Sequence, residues 1–357
     1  MNRTGFLTLC LATAVAVALS VLAVLRQPQL RAADAGGEPL FPGLAEKLGG
    51  LKTVVVKQSD GDFTFDWNGK GWSFRDRQNY PADGEKLNGI VLTLARMVKI
   101  ESKTSVADKY DRLDLNDPKA KDSRAKEIVL LDRDGKALAD VIIGKRKFTL
   151  GGKEGGTYVR LPESPQTWLA LGDINPGAKA RDWLKRDIAD LKDKQIKRIV
   201  VTHPDGERIV VGKLTAQDAS FKVENLPKGQ EPASDYVADE FGRLLAVLLL
   251  DDVAKADTVA FAKDKTITAD VDGFDGIHVT LQVTESGGNT WLKIKADAPP
   301  SKEAATTAEP GADGAKMAAE ITARGDGWVF QVPAYEVAPL KKRMAELIKK
   351  PEKEPKS

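Results

Sequence analysis

Apolar residues alternate with polar ones, or form short continuous runs, over residues 51–150. Leu51 to Gln58 is rich in Val and is predicted to form a strand. From Gly84 to Lys99 apolar residues recur every three or four positions, which predicts an amphipathic helix with Asp83 as its cap. Asx-Gly pairs favour the positive φ angles of tight hairpin turns. Three such pairs separate the predicted strands: Asp60-Gly61, Asn68-Gly69 and Asp134-Gly135.

The same order of elements recurs further along the chain. Ile196 to Thr202 is a predicted strand, Asp205-Gly206 its turn, Ser220 to Glu224 another strand, and Ser234 to Leu250 a helix. The apolar positions of strand and helix keep the register of the first half after one short insertion. The repetition predicts a tandem duplication of one α+β unit, over residues 51–194 and 195–350.

The later parts of the halves correspond more loosely. The matched predicted strands are Glu127–Leu131 with Gly276–Thr284, Lys136–Ile143 with Thr290–Lys295, Thr157–Leu161 with Met317–Ala323, and Thr167–Leu171 with Gly327–Val332. A charged helix is predicted to close each half, at Lys179–Leu191 and Pro339–Lys349. Residues 296–316 are rich in Ala, Pro and Gly, and we expect a flexible loop there, at the place that Gly151–Gly156 occupies in the first half. Residues 351–357 form a charged tail.

The N-terminus carries an uncharged run from Phe6 to Leu25, preceded by Arg3. About 20 helical residues cross the hydrocarbon core of a bilayer, so residues 1–26 are predicted to be a transmembrane anchor and residues 27–50 a linker. The alternative is a cleaved signal peptide, with small residues at Ala33-Asp34-Ala35 as the cleavage site. We expect a single span of the inner membrane with the body in the periplasm.

Composition excludes several classes of protein. The net charge is +2, which argues against a nucleic-acid binder because phosphate contacts need a basic excess. Cys10 is the only cysteine and lies in the apolar run, so no intrachain disulfide forms. His203 and His278 are the only histidines, which excludes a His-rich metal site.

Several short segments together resemble the bacterial DUF4340 family, a domain of unknown function. They are Gly71-Trp72-Ser73-Phe74, Tyr80-Pro81-Ala82-Asp83, Lys109-Tyr110 to Leu115 with Asp117-Pro118, Val141 to Lys145, Thr157 to Leu161, and Trp183-Leu184. The resemblance covers Leu51 to Leu191 best. It implies a membrane-anchored protein encoded beside ABC-transporter components of the gliding-motility type. It implies no active site, because the matching segments are structural.

Three glycine- or aspartate-rich segments are candidate ligand sites. Gly151 to Gly156 looks like a phosphate loop, but its flanks are strands and Lys153 is followed by Glu154, so a hairpin loop is favoured. Asp132 to Gly135 and Asp270 to Gly276 resemble calcium loops, yet turn chemistry explains each Asp-Gly pair without a metal. No cofactor is expected.

The remaining candidates are histidines, tryptophans and a basic cluster. His203 is expected beside an exposed turn and His278 on a strand, and neither has a nucleophile at a recognisable spacing. Tryptophans are commoner in cores than on binding surfaces, although a surface for glycans or a peptide stays open. Lys341-Lys342-Arg343 with Lys349-Lys350 and Lys353 is expected to be a solvated face, with anionic headgroups as the alternative. The six tryptophans are Trp67, Trp72, Trp168, Trp183, Trp291 and Trp328.

These observations predict an α+β protein: an N-terminal transmembrane helix, then two tandem β-rich units of antiparallel hairpins packed on amphipathic helices. We expect a non-catalytic accessory protein of the envelope that presents this body to a protein partner, such as an ABC-type transport complex. Two alternatives stay open: a periplasmic hydrolase with paired carboxylates, and a small-ligand binding protein.

Overall fold

The structure is a computed structural model that describes residues 37–148, 150, 155–298 and 314–349. The predicted membrane span, the tail, and residues 299–313 of the predicted loop lie outside these residues. None of the described helices is long and apolar enough to cross a membrane. The fold is mixed α+β, and its two large sheets pair their strands antiparallel. The chain divides into two compact units, one of them ending at Gly177 and the other containing Phe74–Ala82 and the chain from Ala178 onward.

The first unit contains one long helix and most strands of the first large sheet. The helices are α1 (Leu44–Lys47) and α2 (Gly84–Arg96), and short 3-10 turns cover Leu48–Gly50 and Ala107–Leu113. The strands are β1 (Glu38–Pro39), β2 (Leu51–Lys57), β3 (Phe63–Trp67), β4 (Trp72–Phe74), β6 (Val98–Ser102), β7 (Lys126–Asp132), β8 (Ala137–Lys147), β9 (Gly156–Arg160) and β10 (Thr167–Leu171). Their order in the sheet is β1-β6-β10-β9-β8-β7-β2-β3-β4.

The second unit holds the second large sheet, a two-stranded ribbon and the segment Phe74–Ala82 with β5 (Tyr80–Pro81). The ribbon is β11 (Asp187–Ala189) with β15 (Leu248–Leu249). The sheet strands are β12 (Ile196–Thr202), β13 (Arg208–Gly212), β14 (Lys222–Val223), β16 (Asp252–Lys255), β17 (Ile267–Gly273), β18 (His278–Ser286), β19 (Asn289–Asp297) and β20 (Trp328–Val332), in the order β14-β13-β12-β17-β18-β19-β20-β16. The helices are α3 (Asp239–Gly242), α4 (Gly314–Gly325), α5 (Ala338–Lys341) and α6 (Met344–Leu347), and 3-10 turns cover Arg75–Arg77, Ala180–Trp183 and Asp193–Gln195.

The two sheets share one strand order. Over eight strands, the first sheet has the order β6-β10-β9-β8-β7-β2-β3-β4, and the second has the order β16-β20-β19-β18-β17-β12-β13-β14. Strands at the same position, such as β2 and β12, correspond to each other. The register agrees as well. β2 pairs with β7, and β12 with β17, each with a single irregularity near the start of the first strand, between Leu51 and Thr53 and between Ile196 and Arg198. The hairpins of the first sheet therefore recur in the second sheet with the same strand pairing.

Several predictions at the start of each half are confirmed. The strands Leu51–Lys57 and Ile196–Thr202 form, and α2 occupies most of the predicted Gly84–Lys99 helix. The Asp83 carboxylate accepts a hydrogen bond from the Lys86 amide at 3.0 Å and so caps α2. The apolar face of this helix is buried through Leu87, Ile90, Val91 and Leu94.

The predicted helix Ser234–Leu250 is wrong. Only α3 is α-helical there, and the surrounding amides bond to carbonyls three residues earlier, as Leu244 does to Phe241. Successive turns of this kind bring residues three apart to one side, so Phe241, Leu244 and Leu245 are buried without a continuous helix.

The two predicted closing helices are also wrong. Lys179–Leu191 contains a 3-10 turn and then β11, whose residues Ile188 and Ala189 are both buried, so the strand has no polar alternation to reveal it. Pro339–Lys349 contains two four-residue helices, α5 and α6, instead of one.

The predicted strand Met317–Ala323 is a helix, α4. Its buried residues Gly314, Ala318, Ile321 and Gly325 follow the helical spacing. The predicted loop 296–316 therefore overlaps β19 at one end and α4 at the other. It lies between β19 and α4, and β19 corresponds to β9, whereas Gly151–Gly156 lies between β8 and β9.

The loose matching of later strands is correct for Thr167–Leu171 with Gly327–Val332, which are β10 and β20. It is wrong for the three earlier pairs, each displaced by one element, because β17 occupies part of the aspartate-rich segment and takes the position that corresponds to β7.

Candidate functional site

A pocket of about 830 Å³ lies in the first unit. Cavities of this size are typical of small-molecule sites. The strand ends of β2 and β3, the start of β4, and α2 contribute most of its wall. Its apolar lining is Leu48, Leu51, Trp67, Trp72, Val91 and Leu92, and its remaining lining is Gly49, Lys52, Asn68, Gly69, Asn88 and Arg133. We call this cavity the tryptophan pocket.

Two tryptophans form the aromatic wall of the tryptophan pocket. The ring centroids of Trp67 and Trp72 are 5.5 Å apart and their planes meet at 67°, an edge-to-face contact. Trp72 is buried, and its Nε1 donates a hydrogen bond to Asn88 Oδ1 of α2 at 2.8 Å. Trp67 is half-buried. The hydrogen bond fixes one ring, so the wall is preformed.

The turn between the two tryptophans is set by local chemistry. The Asn68 side chain accepts hydrogen bonds from the amides of Lys70 and Gly71 at 2.9 and 3.0 Å. Gly69 has a φ of 92°, which L-residues with a side chain rarely adopt. The Asn-Gly pair, predicted as a hairpin turn, therefore holds the ends of β3 and β4 together and brings the two rings into contact.

The charged residues of the pocket lining are cations. The Lys52 ammonium donates a hydrogen bond to the carbonyl oxygen of Trp67. Arg133 belongs to the turn between β7 and β8, where the Asp132 carboxylate accepts hydrogen bonds from the amides of Asp134 and Lys136, both at 2.9 Å. The lining includes no carboxylate. The segment that resembles a calcium loop is thus the predicted hairpin turn, closed by its own aspartate.

A second group of titratable residues lies outside the pocket, on β2, β7 and β8. The Lys57 ammonium donates to the Glu127 carboxylate at 2.5 Å. Burial, with a smaller effect of Glu127, raises the pKa of Asp140 to about 6. Its Oδ1 atom is buried without a hydrogen-bond partner among the described residues. Asp140 therefore holds its proton up to a higher pH than an ordinary carboxyl group.

The two histidines lie in different surroundings. His203 precedes the exposed turn 204–206, as predicted, but the residue itself is buried, and its Nε2 is 2.9 Å from the Lys342 carbonyl oxygen. His278 is half-exposed on β18, with Nδ1 2.7 Å from Asp272 Oδ1. The Asp272 contact raises the pKa of His278. His278 is a paired surface histidine.

The metal and phosphate candidates gain no site. Asp270 and Asp272 lie on β17, a paired strand, and not in a loop. No cluster of three or more histidine, cysteine, aspartate or glutamate residues suited to a metal occurs among the described residues. Residues 151–154 of the phosphate-loop candidate lie outside the described ranges, and Gly156 begins β9.

The described cations of the basic cluster are paired with acids. Lys341 contacts Glu285 at 2.6 Å, and Lys342 contacts Glu240. Arg343 contacts Asp205 at 2.8 Å and Glu207 at 2.7 Å, so it fastens the C-terminal segment to the β12–β13 hairpin. These ion pairs reduce the positive charge available to a headgroup.

Three of the other tryptophans serve packing. Trp183 is fully buried, and Trp168 and Trp328 stack with Lys99 and Lys255. Trp328 also contacts Tyr80 edge to face at 5.0 Å. Trp67 and Trp72 are thus the pair that the fold brings to a pocket. The two residues flank the Asn68-Gly69 turn, and this position in the sequence indicates that their rings lie close together.

The sequence profile of the family described as "Domain of unknown function (DUF4340)" matches residues 72–272. The match covers more than half of the 357-residue chain. The chain belongs to the DUF4340 family. This DUF4340 region begins at Trp72 of the pocket and extends into the second unit as far as β17. No curated protein and no solved structure is significantly similar to the chain.

Proposed function

We propose that this DUF4340 protein is a non-catalytic accessory protein of the cell envelope that binds a ligand or partner group in the tryptophan pocket. The observation that carries the proposal is the pocket itself, an apolar cavity with a preformed aromatic wall and a few polar groups. Such cavities are the usual architecture of binding sites. Among the described residues that line the pocket, no histidine, cysteine, serine or carboxylate is present to act as nucleophile or base.

The envelope location is part of the proposal. The uncharged run Phe6 to Leu25 supports a single span of the inner membrane with the body in the periplasm. The shared strand order supports a tandem duplication, and the family resemblance supports an ABC-type transport complex as the partner. In this arrangement the anchor keeps the pocket close to the membrane and to the complex it assists.

Partner capture by an exposed strand edge has weaker support than the pocket. Strand β14 has two residues, and the edge of β16 carries side-chain caps. The Lys255 amide donates to Gln78 Oε1 at 3.1 Å, and Arg77 forms a two-point ion pair with Asp252 at 2.5 and 3.0 Å. Covered edges resist strand addition.

A carboxylate-dependent hydrolase is the second candidate function. The observation that favours it is the raised pKa of Asp140 beside Glu127, since a carboxyl that stays protonated is suited to general acid catalysis. Neither carboxyl lines the tryptophan pocket. A binding function therefore has the better geometric support.

Co-purification from gently solubilised membranes tests the proposed function. We expect the tagged full chain in the membrane fraction with a reproducible companion, either a protein or a small molecule. Leu92 lines the pocket and is 47% exposed, so Leu92→Asp should leave the fold intact and abolish the association. Leu214→Asp is the matched control, because Leu214 is 93% exposed and outside the pocket. A chain recovered alone, or a companion equally retained by both variants, contradicts the proposal.

A further inference from the structure

The second unit contains a counterpart of the tryptophan pocket that is filled. The 3-10 turn Leu48–Gly50 precedes β2 as Asp193–Gln195 precedes β12. Thr53 pairs with Asp66 as Arg198 pairs with Gly212, which makes Trp67 the counterpart of Lys213. Trp72 begins β4, and Phe221 directly precedes β14. The two places can therefore be compared residue by residue.

Side chains of the second unit close its copy of the site. The Lys213 ammonium lies 4.5 Å from the centroid of the Phe221 ring and 3.5 Å from Asp193 Oδ2. The side chain of Lys213 and the residue Phe221 are each about 2% exposed. A Cβ on Gly242 would lie 2.2 Å from the Phe221 ring, so the backbone of α3 packs directly against it. The fold does not by itself require an open cavity here.

In the first unit each filling residue is replaced. Leu48 stands where the second unit has Asp193, and Trp67 stands where it has Lys213. In the register of the helical segments that follow β4 and β14, Leu92 corresponds to Gly242, and Leu92 lines the pocket. The first unit thus has a pocket where the second has an internal ammonium–aromatic contact.

The charge of the open site selects the ligand. The Lys52 ammonium donates a hydrogen bond to a carbonyl oxygen, which is uncharged and so does not neutralise the ammonium. Arg133 adds a second cation to the pocket lining. The carboxylate that balances the buried cation of the second unit is absent, because position 48 is leucine. Cations beside aromatic and aliphatic side chains complement an acidic group on an apolar body.

We propose that the tryptophan pocket binds a small amphipathic anion, with an apolar ring or acyl body against Trp67, Trp72 and Leu92 and a carboxylate or phosphate against Lys52 and Arg133. This inference rests on the proposed function and names its ligand class. A carboxylate and a phosphate monoester share the chemistry that the two cations recognise, and the probes below distinguish them.

Four probes that differ only in head group test the ligand class: 4-phenylbutyrate, 4-phenylbutyl phosphate, 4-phenylbutanamide and 4-phenylbutylammonium. The full chain, labelled with 5-fluorotryptophan, is held in nanodiscs of zwitterionic lipid. We expect the fluorine resonances of Trp67 and Trp72 to shift with one or both anions. The amide should bind roughly three- to tenfold more weakly, and the ammonium more weakly still.

Charge variants locate the head group. Lys52→Gln and Arg133→Gln should each weaken the better anion roughly three- to tenfold and leave amide binding unchanged. Lys197→Gln is the matched control, because Lys197 is the exposed counterpart of Lys52 in the second unit, and it should change nothing.

The outcomes separate this inference from the proposed function. The ligand class is overturned if the amide and the anion bind equally well, or if Lys52→Gln and Arg133→Gln do not affect anion binding. Either result still agrees with a binding function of the pocket. No shift of Trp67 or Trp72 with any probe overturns the ligand class. In that case a companion lost by Leu92→Asp in the co-purification still supports the proposed function, with a different ligand.

Discussion

At the residue scale, Asp140 is a carboxyl group whose ionisation the fold opposes. Burial raises its pKa to about 6, above the ordinary 3.8. A raised carboxyl pKa means that the folded state binds the proton more tightly than the unfolded chain. The resulting stability is present below pH 4 and is lost as the pH rises through about 6. The side chain is partly exposed, which reduces the effect to about 1–2 kcal/mol.

Asp140→Asn should raise the free energy of unfolding at neutral pH, because the amide cannot ionise. We expect a gain of about 1–2 kcal/mol at pH 7.5 and little change at pH 4, measured by urea unfolding. Asp134→Asn, in an exposed hairpin turn, is the control and should be neutral at both values. A gain of the same size at pH 4 would show that ionisation of Asp140 is not the cause.

Residues that act through near neighbours were predictable, and residues that act across the fold were not. The cap by Asp83 and the turn at Asn68-Gly69 depend on positions within a few residues. The hydrogen bond between Trp72 and Asn88 needs the β3–β4 hairpin to meet α2, and no spacing in the sequence specifies that meeting. The burial of His203 likewise depends on a carbonyl far along the chain.

At the element scale, strands with strong local signals, such as β2 and β12, were predictable, whereas the strand β17 and the helix α4 were not. The strands β2 and β12 are Val- and Ile-rich and flanked by turns, so local preference and the final fold agree. The helical period of α4 is hard to recognise in the sequence because three of its four buried positions are glycine or alanine, which carry little apolar signal. Those small residues let the helix approach β19 closely.

Replacing each of two helix glycines by alanine should change the free energy of unfolding in opposite directions. A Cβ on Gly325 of α4 would lie 2.5 Å from the Ile294 carbonyl oxygen, so Gly325→Ala should lower the free energy of unfolding by about 1–3 kcal/mol. Gly89 in α2 is exposed with no neighbour within 4 Å, so Gly89→Ala should raise it by about 0.5–1 kcal/mol.

Both values come from urea unfolding at fixed pH, with the slope of the transition checked for constancy. A neutral Gly325→Ala would mean that α4 can move away from β19 without loss. A destabilising Gly89→Ala would mean that this position of α2 is not helical and solvent-facing.

At the scale of the whole molecule, two units with one strand order differ in how they use it. The shared bulges and pairings account for the similarity of the sheets. The difference lies in a few side chains. Leu48, Trp67 and Leu92 line a cavity in the first unit, whereas Asp193, Lys213 and Gly242 pack around or against a buried contact in the second. In this account the site of the second unit is part of the packed interior, and the pocket of the first unit binds a ligand.

The most direct test of the binding account is native mass spectrometry of the full chain, released from its own membranes in a mild detergent. We predict an added mass of a small molecule on the wild-type chain. Trp67→Lys introduces the residue of the second unit and should remove that mass, whereas Leu214→Lys adds the same charge at an exposed site outside the pocket and should retain it. A bare wild-type chain, or an added mass that Trp67→Lys leaves in place, would contradict the account.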